Sequence, residues 1–155
     1  MIAIVQANIG DINSIINFEH KLGRYELQFN DKVRPDKNIE DYSKKALKYL
    51  IEDEKGFILL AKEKNQPIGF IIAEIFKHEA PWAKEKNKGV IGLMYIEKKY
   101  RNQKIGEALL KKALKWFKKN KVKDIRLHVN ARNLQARKFY QKIGFIDYNI
   151  EMTLK

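Results

Sequence analysis

Two stretches of the chain bring together residue types that do chemistry at spacings a fold can use. The first, VIGLMYIEKKYRNQKIGEALL at 90–110, reads as a strand, a short basic turn and a helix. A helix that starts directly behind a strand aims unpaired N–H groups and its positive end at the turn, which suits a phosphate or pyrophosphate. Gly106 lets backbone come close to such a ligand, and Arg101 and Lys104 add positive charge. The plainer alternative is a strand–helix turn with one glycine for packing. The second stretch, NLQARKFYQKIGF at 133–145, carries Asn133, Ala136, Tyr140, Gly144 and Phe145. Ala136 and Tyr140 are four apart and share a helix face. Singly, each has a structural reading: Asn133 an N-cap, Ala136 a close packing point, Tyr140 a half-buried core tyrosine, Gly144 a C-cap.

Other chemistries are excluded by what the chain lacks. It has no cysteine, so disulfides, thiolate metal sites, iron–sulfur clusters and cysteine nucleophiles drop out. Its three histidines, His20, His78 and His128, stand at no metal-ligand spacing, and no metal is expected. No apolar stretch approaches the ~20 residues of a membrane span. The N-terminus, MIAIVQANIGD, reads as a first strand and not a signal peptide, so a cytoplasmic location is expected. At 155 residues, with no repeat and no Pro/Gly/Ser linker, 1–155 reads as one domain. The net charge of +13 is unevenly placed. Residues 1–97 hold 15 basic and 15 acidic side chains, whereas 98–155 hold 17 basic and 4 acidic. That half attracts polyanions: a nucleic acid, a phosphorylated cofactor or an acidic protein. The bland reading is lysine on solvated helix faces, as in KKALKWFKKNKVKD.

The elements that must position the two stretches follow from periodicity. An apolar strand covers 2–5. Asp11 is placed as N-cap of a first helix with Ile12, Ile15, Ile16, Leu22 and Tyr25 on one face, broken by Asn-Asp and Arg-Pro at 30–35. A second helix is expected over 38–53. The period then changes to two: strands over 56–61 and 68–76 form a hairpin around Asn65-Gln66-Pro67, and a polar loop at 77–88 leads to a central strand over 90–96. A strongly amphipathic helix follows from Ile105 to about Asn120, then a strand over 125–129, a helix from Asn133 through Lys142, and a last alternating strand over 145–154. The order β-α-α-β-β-β-α-β-α-β implies an α/β (α+β) fold with a mixed, mostly antiparallel central sheet flanked by helices.

The two stretches, in this order and about 30 residues apart, resemble the GNAT superfamily of acetyl-CoA-dependent N-acetyltransferases. That signature is Q/R-x-x-G-x-G/A followed by N-x-x-A-x-x-x-Y-x-x-x-G-F. The chain reads Arg101-Asn102-Gln103-Lys104-Ile105-Gly106, then Asn133, Ala136, Tyr140, Gly144 and Phe145. Lys104 stands where the first glycine is usual: its Cβ crowds the turn, while its charge suits the pyrophosphate. The resemblance covers nearly the whole chain and implies that the strand at 90–96 splays from the strand at 125–129. The pantetheine arm of acetyl-CoA would pair there with the backbone of Met94, Tyr95 and Ile96. Amides from Asn102 through Gln103, Lys104, Ile105 and Gly106 to Glu107 would hold the pyrophosphate, and Asn133 would bond the arm from the other side. A backbone N–H near Ile96 would stabilise the oxyanion of direct acyl transfer, with Tyr140 at the general-acid position.

The resemblance also bears on the acceptor amine. His128, in LHV before Asn133, takes the place where some relatives carry a glutamate, which makes it a candidate base; its other reading is a core or edge histidine bonded to backbone. Glu74 and Glu97 are weaker base candidates, and His20 and His78 read as ordinary surface or loop residues. The first two helices and the loop at 77–88 would shape the acceptor pocket, offering Tyr25, Glu26, Phe29, Asp31 and Trp82. A polyamine, an aminoglycoside-like amine, a peptide N-terminus and a lysine side chain all remain open as acceptors. Two competing readings are a basic nucleic-acid-binding module, which lacks any recognised motif here, and a non-catalytic acyl-CoA sensor. A homodimer is expected by analogy.

Overall fold

The computed structural model describes residues 1–30 and 40–154. Most of the break expected at 30–35, and the acceptor-side Asp31, lie outside them. Five strands lie side by side in chain order: β1 (Ile2–Gln6), β2 (Gly56–Glu63), β3 (Gln66–Lys77), β4 (Asn87–Ile96) and β5 (Asp124–Leu127). The first four pair antiparallel, and β5 pairs parallel to β4. Four helices cover the sheet: α1 (Ile12–Glu26), α2 (Glu40–Glu52), α3 (Ile105–Lys119) and α4 (Leu134–Ile143).

Alternation along β3 sorts the side chains into two cores. Ile71 and Ala73 point to α3, where they pack in one cluster with Leu109, Leu110, Ala113 and Phe117. Phe70 and Ile72 point the other way, into a cluster with Ile15, Ile16 and Phe18 of α1. The Phe18 ring stacks on Phe70 at 5.8 Å and meets Tyr95 of β4 at 5.6 Å. Burying each of these large side chains contributes roughly 1.5–3 kcal/mol.

Two irregularities matter for function. The β4–β5 ladder runs only from Lys88↔Asp124 to Ile91↔Leu127, so β4 continues to Ile96 with nothing paired on that side. Where the ladder ends, β4 bulges. Ile71 faces Met94 and Ala73 faces Ile91, leaving Ile72 alone opposite both Gly92 and Leu93.

One expected element needs correction. The last strand, 145–154, does not form: the segment has no ladder, and Ile146, Tyr148, Ile150, Met152 and Leu154 are 70–98% exposed. Its alternation is a strand pattern, but a strand exists only where a partner completes its hydrogen bonds. Asp11 is the N-cap of α1, as its place predicts, but its side chain makes no cap hydrogen bond to the helix. Instead its carboxylate accepts from the Asn8 N–H at 3.0 Å and pairs with Lys62 at 2.7 Å, fixing a short 3-10 turn at Ile9–Asp11. His78 is a loop residue, as expected, and is engaged there: its Nε2 lies 2.9 Å from Oδ2 of Asp124, and the pair ties the β3–β4 loop to the start of β5.

Candidate active site

The unpaired half of β4 is one wall of the site. Glu97 N–H donates to the Ile68 carbonyl at 2.9 Å, so Ile68 and Glu97 are a hydrogen-bonded pair. In an antiparallel ladder such pairs alternate with non-bonded ones. The Gly69↔Ile96 and Ile71↔Met94 pairs are therefore the non-bonded kind, and the backbone groups of Met94 and Ile96 face the opening beside β4. Those of Tyr95 face β3 and are engaged there, which removes Tyr95 from the backbone contacts expected of it. Its side chain is buried against Phe18, on the α1 side of the sheet.

The opening leads up to the turn before α3. A 3-10 turn at Lys98–Tyr100 redirects the chain, and both Asn102 (φ 63°) and Lys104 (φ 60°) adopt the left-handed conformation. This conformation is the physical reason a glycine suits position 104; a residue with a Cβ pays about 1–2 kcal/mol there. Lys104 is the N-cap of α3 and makes no side-chain cap. The first-turn amides of Ile105, Gly106 and Glu107 thus have no intrahelical acceptor and face outward at the positive end of a 15-residue helix. A Cβ built on Gly106 would meet Phe139 of α4 at 3.5 Å and Ile96 at 3.9 Å, ordinary contact distances. Packing alone does not require glycine at 106. What the glycine leaves is bare backbone for a ligand to approach.

Several side chains of the turn are engaged within the chain. Gln103 Nε2 donates to the Lys99 carbonyl at 3.1 Å. Arg101 Nε donates to the Ile96 carbonyl at 3.0 Å, and its guanidinium lies over the rings of Tyr25 (5.2 Å) and Tyr95 (5.6 Å). Arg101 thus braces the end of β4 against α1 and occupies one acceptor that faces the opening. Glu107 pairs with Lys111 at 2.6 Å, which holds its carboxyl below the usual range.

The opposite wall is the chain from β5 into α4. Asn133 caps α4: its Oδ1 accepts from the Ala136 N–H at 3.1 Å, and the residue is 8% exposed. The cap uses the oxygen and leaves the amide NH2 as a donor. Gly144 ends the helix at φ 113°, as its spacing predicts. Between the caps, Tyr140 packs edge-on against Phe139 (5.1 Å) and Phe145 (5.9 Å). Burial first, and the nearby negative charge of Glu26 second, push its phenol up to about 12. The hydroxyl is a protonated donor throughout the neutral range.

The remaining candidates spread over the α1 side. His128 directly follows β5, exposed, at the point where β4 and β5 part. Glu97 is paired with Lys21 and accepts from the Tyr95 hydroxyl at 3.4 Å, so it is engaged. Glu74 on β3 is half-buried, and burial raises its carboxyl above the ordinary value. The end of α1 docks on the β5–α4 turn: the Tyr25 hydroxyl donates to Gln135 Oε1 at 3.4 Å, and Asn130 Nδ2 donates to the Phe29 carbonyl at 3.1 Å. This sets Tyr25 and Phe29 against the β5–α4 turn, and the charge of Glu26 reaches Tyr140. Trp82 is 83% exposed on the β3–β4 loop, at the opposite end of β4 from the turn. A hollow of about 440 Å³ under that loop, lined by His78, Pro81 and Asn87, is equally remote from it. Gly92 carries a sequence signal of its own, because a glycine inside a central strand marks a bulge. Among the described residues, no three His, Asp or Glu gather into a metal site, and no helix is long and apolar enough to cross a membrane.

Comparison with known proteins agrees with this geometry. Residues 21–145 match the model of the acetyltransferase (GNAT) family. The N-alpha-acetyltransferase 30 of Schizosaccharomyces pombe is 28% identical over 109 residues, 70% of each chain. The match to its Homo sapiens namesake, also 28% identical, covers 69% of this chain but only 28% of that protein. A spermidine N(1)-acetyltransferase of Thermoplasma acidophilum is 32% identical over 110 residues, 68% of this chain and 63% of that protein. Among solved structures, a predicted acetyltransferase from Clostridium acetobutylicum with acetyl-CoA superposes at a TM-score of 0.84 and 20% identity, covering 100% of this chain and 96% of that one. That superposition shows that the two chains share a fold. The chain belongs to the acetyltransferase (GNAT) family, the acetyl-CoA-dependent N-acetyltransferases.

Proposed function

We propose that the protein transfers an acetyl group directly from acetyl-CoA to a primary amine at the opening between β4 and β5. The observation that carries this is the continuous path from the uncapped amides of Ile105, Gly106 and Glu107, down the outward-facing backbone of Met94 and Ile96, to the point where the ladder closes at Ile91↔Leu127. The donor set fits the co-substrate: bare amides, together with Lys104 and a basic C-terminal half, suit a pyrophosphate. Two strand-like backbone positions and the Asn133 amide suit an amide-bearing arm. Acetyl-CoA supplies the thioester. Ile96, at the turn end of the path, is a backbone contact of the arm; the Met94 N–H, nearer the closed end, is the oxyanion donor on this reading, and Tyr140 lies at the general-acid position. A phenol near 12 is a weak acid against a thiol of ordinary pKa, ~8.5. Its larger contribution is therefore a hydrogen bond that strengthens as charge builds on sulfur, with the proton following. His128 is the candidate proton acceptor for the amine.

The relatives include an N-alpha-acetyltransferase and a spermidine N(1)-acetyltransferase, and α-amines and spermidine both arrive as ammonium ions; on this reading the acceptor is such an amine. A homodimer is supported by the exposed alternating apolar residues of 146–154. A cytoplasmic location is part of the same reading. Calorimetric titration with acetyl-CoA, followed by a panel of amines monitored through release of free thiol, tests it. We expect binding, and Tyr140→Phe lowering kcat by about 10²–10⁴ while the acetyl-CoA Kd stays within about twofold. No binding at millimolar acetyl-CoA overturns the reading; equal turnover in Tyr140→Phe removes the residue from the acid role.

A further inference from the structure

The closed end of the opening holds a carboxylate that the reaction as described does not use. Glu74 pairs with Val90 across β3 and β4, and it lies on the same face as Phe70 and Ile72, toward α1. Its Oε1 reaches diagonally to Gly92: a Cβ built there would lie 3.4 Å from that oxygen and 3.8 Å from Ile72. Gly92 is the first residue of β4 beyond the last β4–β5 pair, and it sits in the bulge. It is exposed, and the side chains that a Cβ there would meet, Glu74 and Ile72, both belong to the α1 face. Among the described residues, no cation and no donor meets the Glu74 carboxylate, whereas Glu97 is paired with Lys21 and Asp124 with Arg126.

The two faces of the sheet divide the reactants. Tyr140 and α3 pack on the face of Ile71 and Ala73. An arm entering at residues 105–107 and running along Ile96 and Met94 reaches Gly92 after four residues of strand, about 13 Å. An acceptor amine must then meet its end from the other face, which at this point offers the Glu74 carboxylate. We infer that Glu74 seats the ammonium group of the acceptor over Gly92 and so selects cationic amines. The assignment rests on the acetyl-transfer reading. A half-buried carboxylate with no countercharge is held above its ordinary pKa by burial, and an arriving ammonium supplies the missing partner.

The test is Glu74→Gln, which keeps shape and removes charge, assayed with acetyl-CoA and two acceptors: spermidine, which is cationic, and aniline, which is neutral at the assay pH. We expect kcat/KM for spermidine to fall roughly 10- to 100-fold, mainly through KM. The smaller effect on aniline and the unchanged acetyl-CoA Kd set this apart from a general defect. Losses of equal size for both amines, or a loss of acetyl-CoA binding, overturn the inference by placing Glu74 in the fold. Unchanged spermidine turnover in the variant overturns it while leaving acetyl transfer intact. Wild-type protein that binds acetyl-CoA and acetylates neither amine overturns it together with acetyl transfer to such acceptors.

Discussion

Gly106 and Lys104 stand two residues apart and illustrate how differently one turn treats glycine. At 104 the backbone is left-handed and the sequence supplies a lysine, so strain of about 1–2 kcal/mol is retained. At 106 the backbone is helical, an alanine Cβ would find ordinary contacts, and the sequence supplies a glycine. Alanine is the better helix former by up to about 1 kcal/mol, so Gly106→Ala should leave stability unchanged or slightly raised. If the residue serves ligand approach, the same substitution weakens acetyl-CoA binding by at least about tenfold. Chemical denaturation and calorimetry on one sample separate these outcomes; unaltered affinity would return Gly106 to a packing role. Tyr140 yields a prediction in pH. Its folded pKa, about 12, exceeds the unfolded value of about 10, so the unfolded state loses this proton first as pH rises. The contribution to stability is therefore constant below about pH 10 and falls between about 10 and 12. Comparing urea midpoints of wild type and Tyr140→Phe at pH 8 and pH 11 should show the smaller drop in the variant.

At the scale of elements, α1 and the end of β4 are joined by Arg101, which bonds the Ile96 carbonyl and lies over two tyrosines. In the motif Arg101 suits a phosphate; in the fold its side chain acts as a brace, because a stacked guanidinium with a carbonyl acceptor is already engaged. The segment 145–154 is the opposite case, an element whose pattern is complete and whose partner is missing. Five of its apolar side chains, from Ile146 to Leu154, project into solvent, while Phe145 against Tyr140, Arg137 with Asp147 (2.6 Å) and the Arg126 guanidinium over Tyr148 (4.9 Å) anchor only its first residues. Since those five side chains contribute nothing to either core, removing 147–155 should leave thermal stability close to that of the full chain. If they cover one another between two copies, the truncated protein should run as a monomer by light scattering where the full chain runs as a dimer. A full-length monomer at micromolar concentration counts against that arrangement.

Across the whole molecule, the sheet divides labour by face. The α3 and α4 side carries the bare amides, the Asn133 cap and Tyr140; the α1 side carries Glu74, Gly92 and the docked end of α1. The charge follows a related division, because 16 of the 17 basic side chains of 98–155 lie between Lys98 and Lys142, the part that forms the turn, α3, β5 and α4. Glu107 and Asp124 are the acidic exceptions within it. A polyanionic co-substrate is thus drawn toward one end of the sheet, and ammonium acceptors find a carboxylate near its middle.

Periodicity and end signals determined α1, α3, α4, the β2–β3 hairpin and the place of the turn before α3, because a helix stripe and a strand alternation are local properties of the chain. The paired motifs determined the family for the same reason: their spacing is written along two short segments. What only the tertiary structure decided are relations between segments. These include which backbone groups of Met94, Tyr95 and Ile96 face the opening, that Arg101 is already engaged, and that the final alternating segment finds no partner. The meeting of Glu74 with Gly92 belongs with them, because it depends on a bulge and on where one ladder stops, and neither lies in a single stretch of sequence.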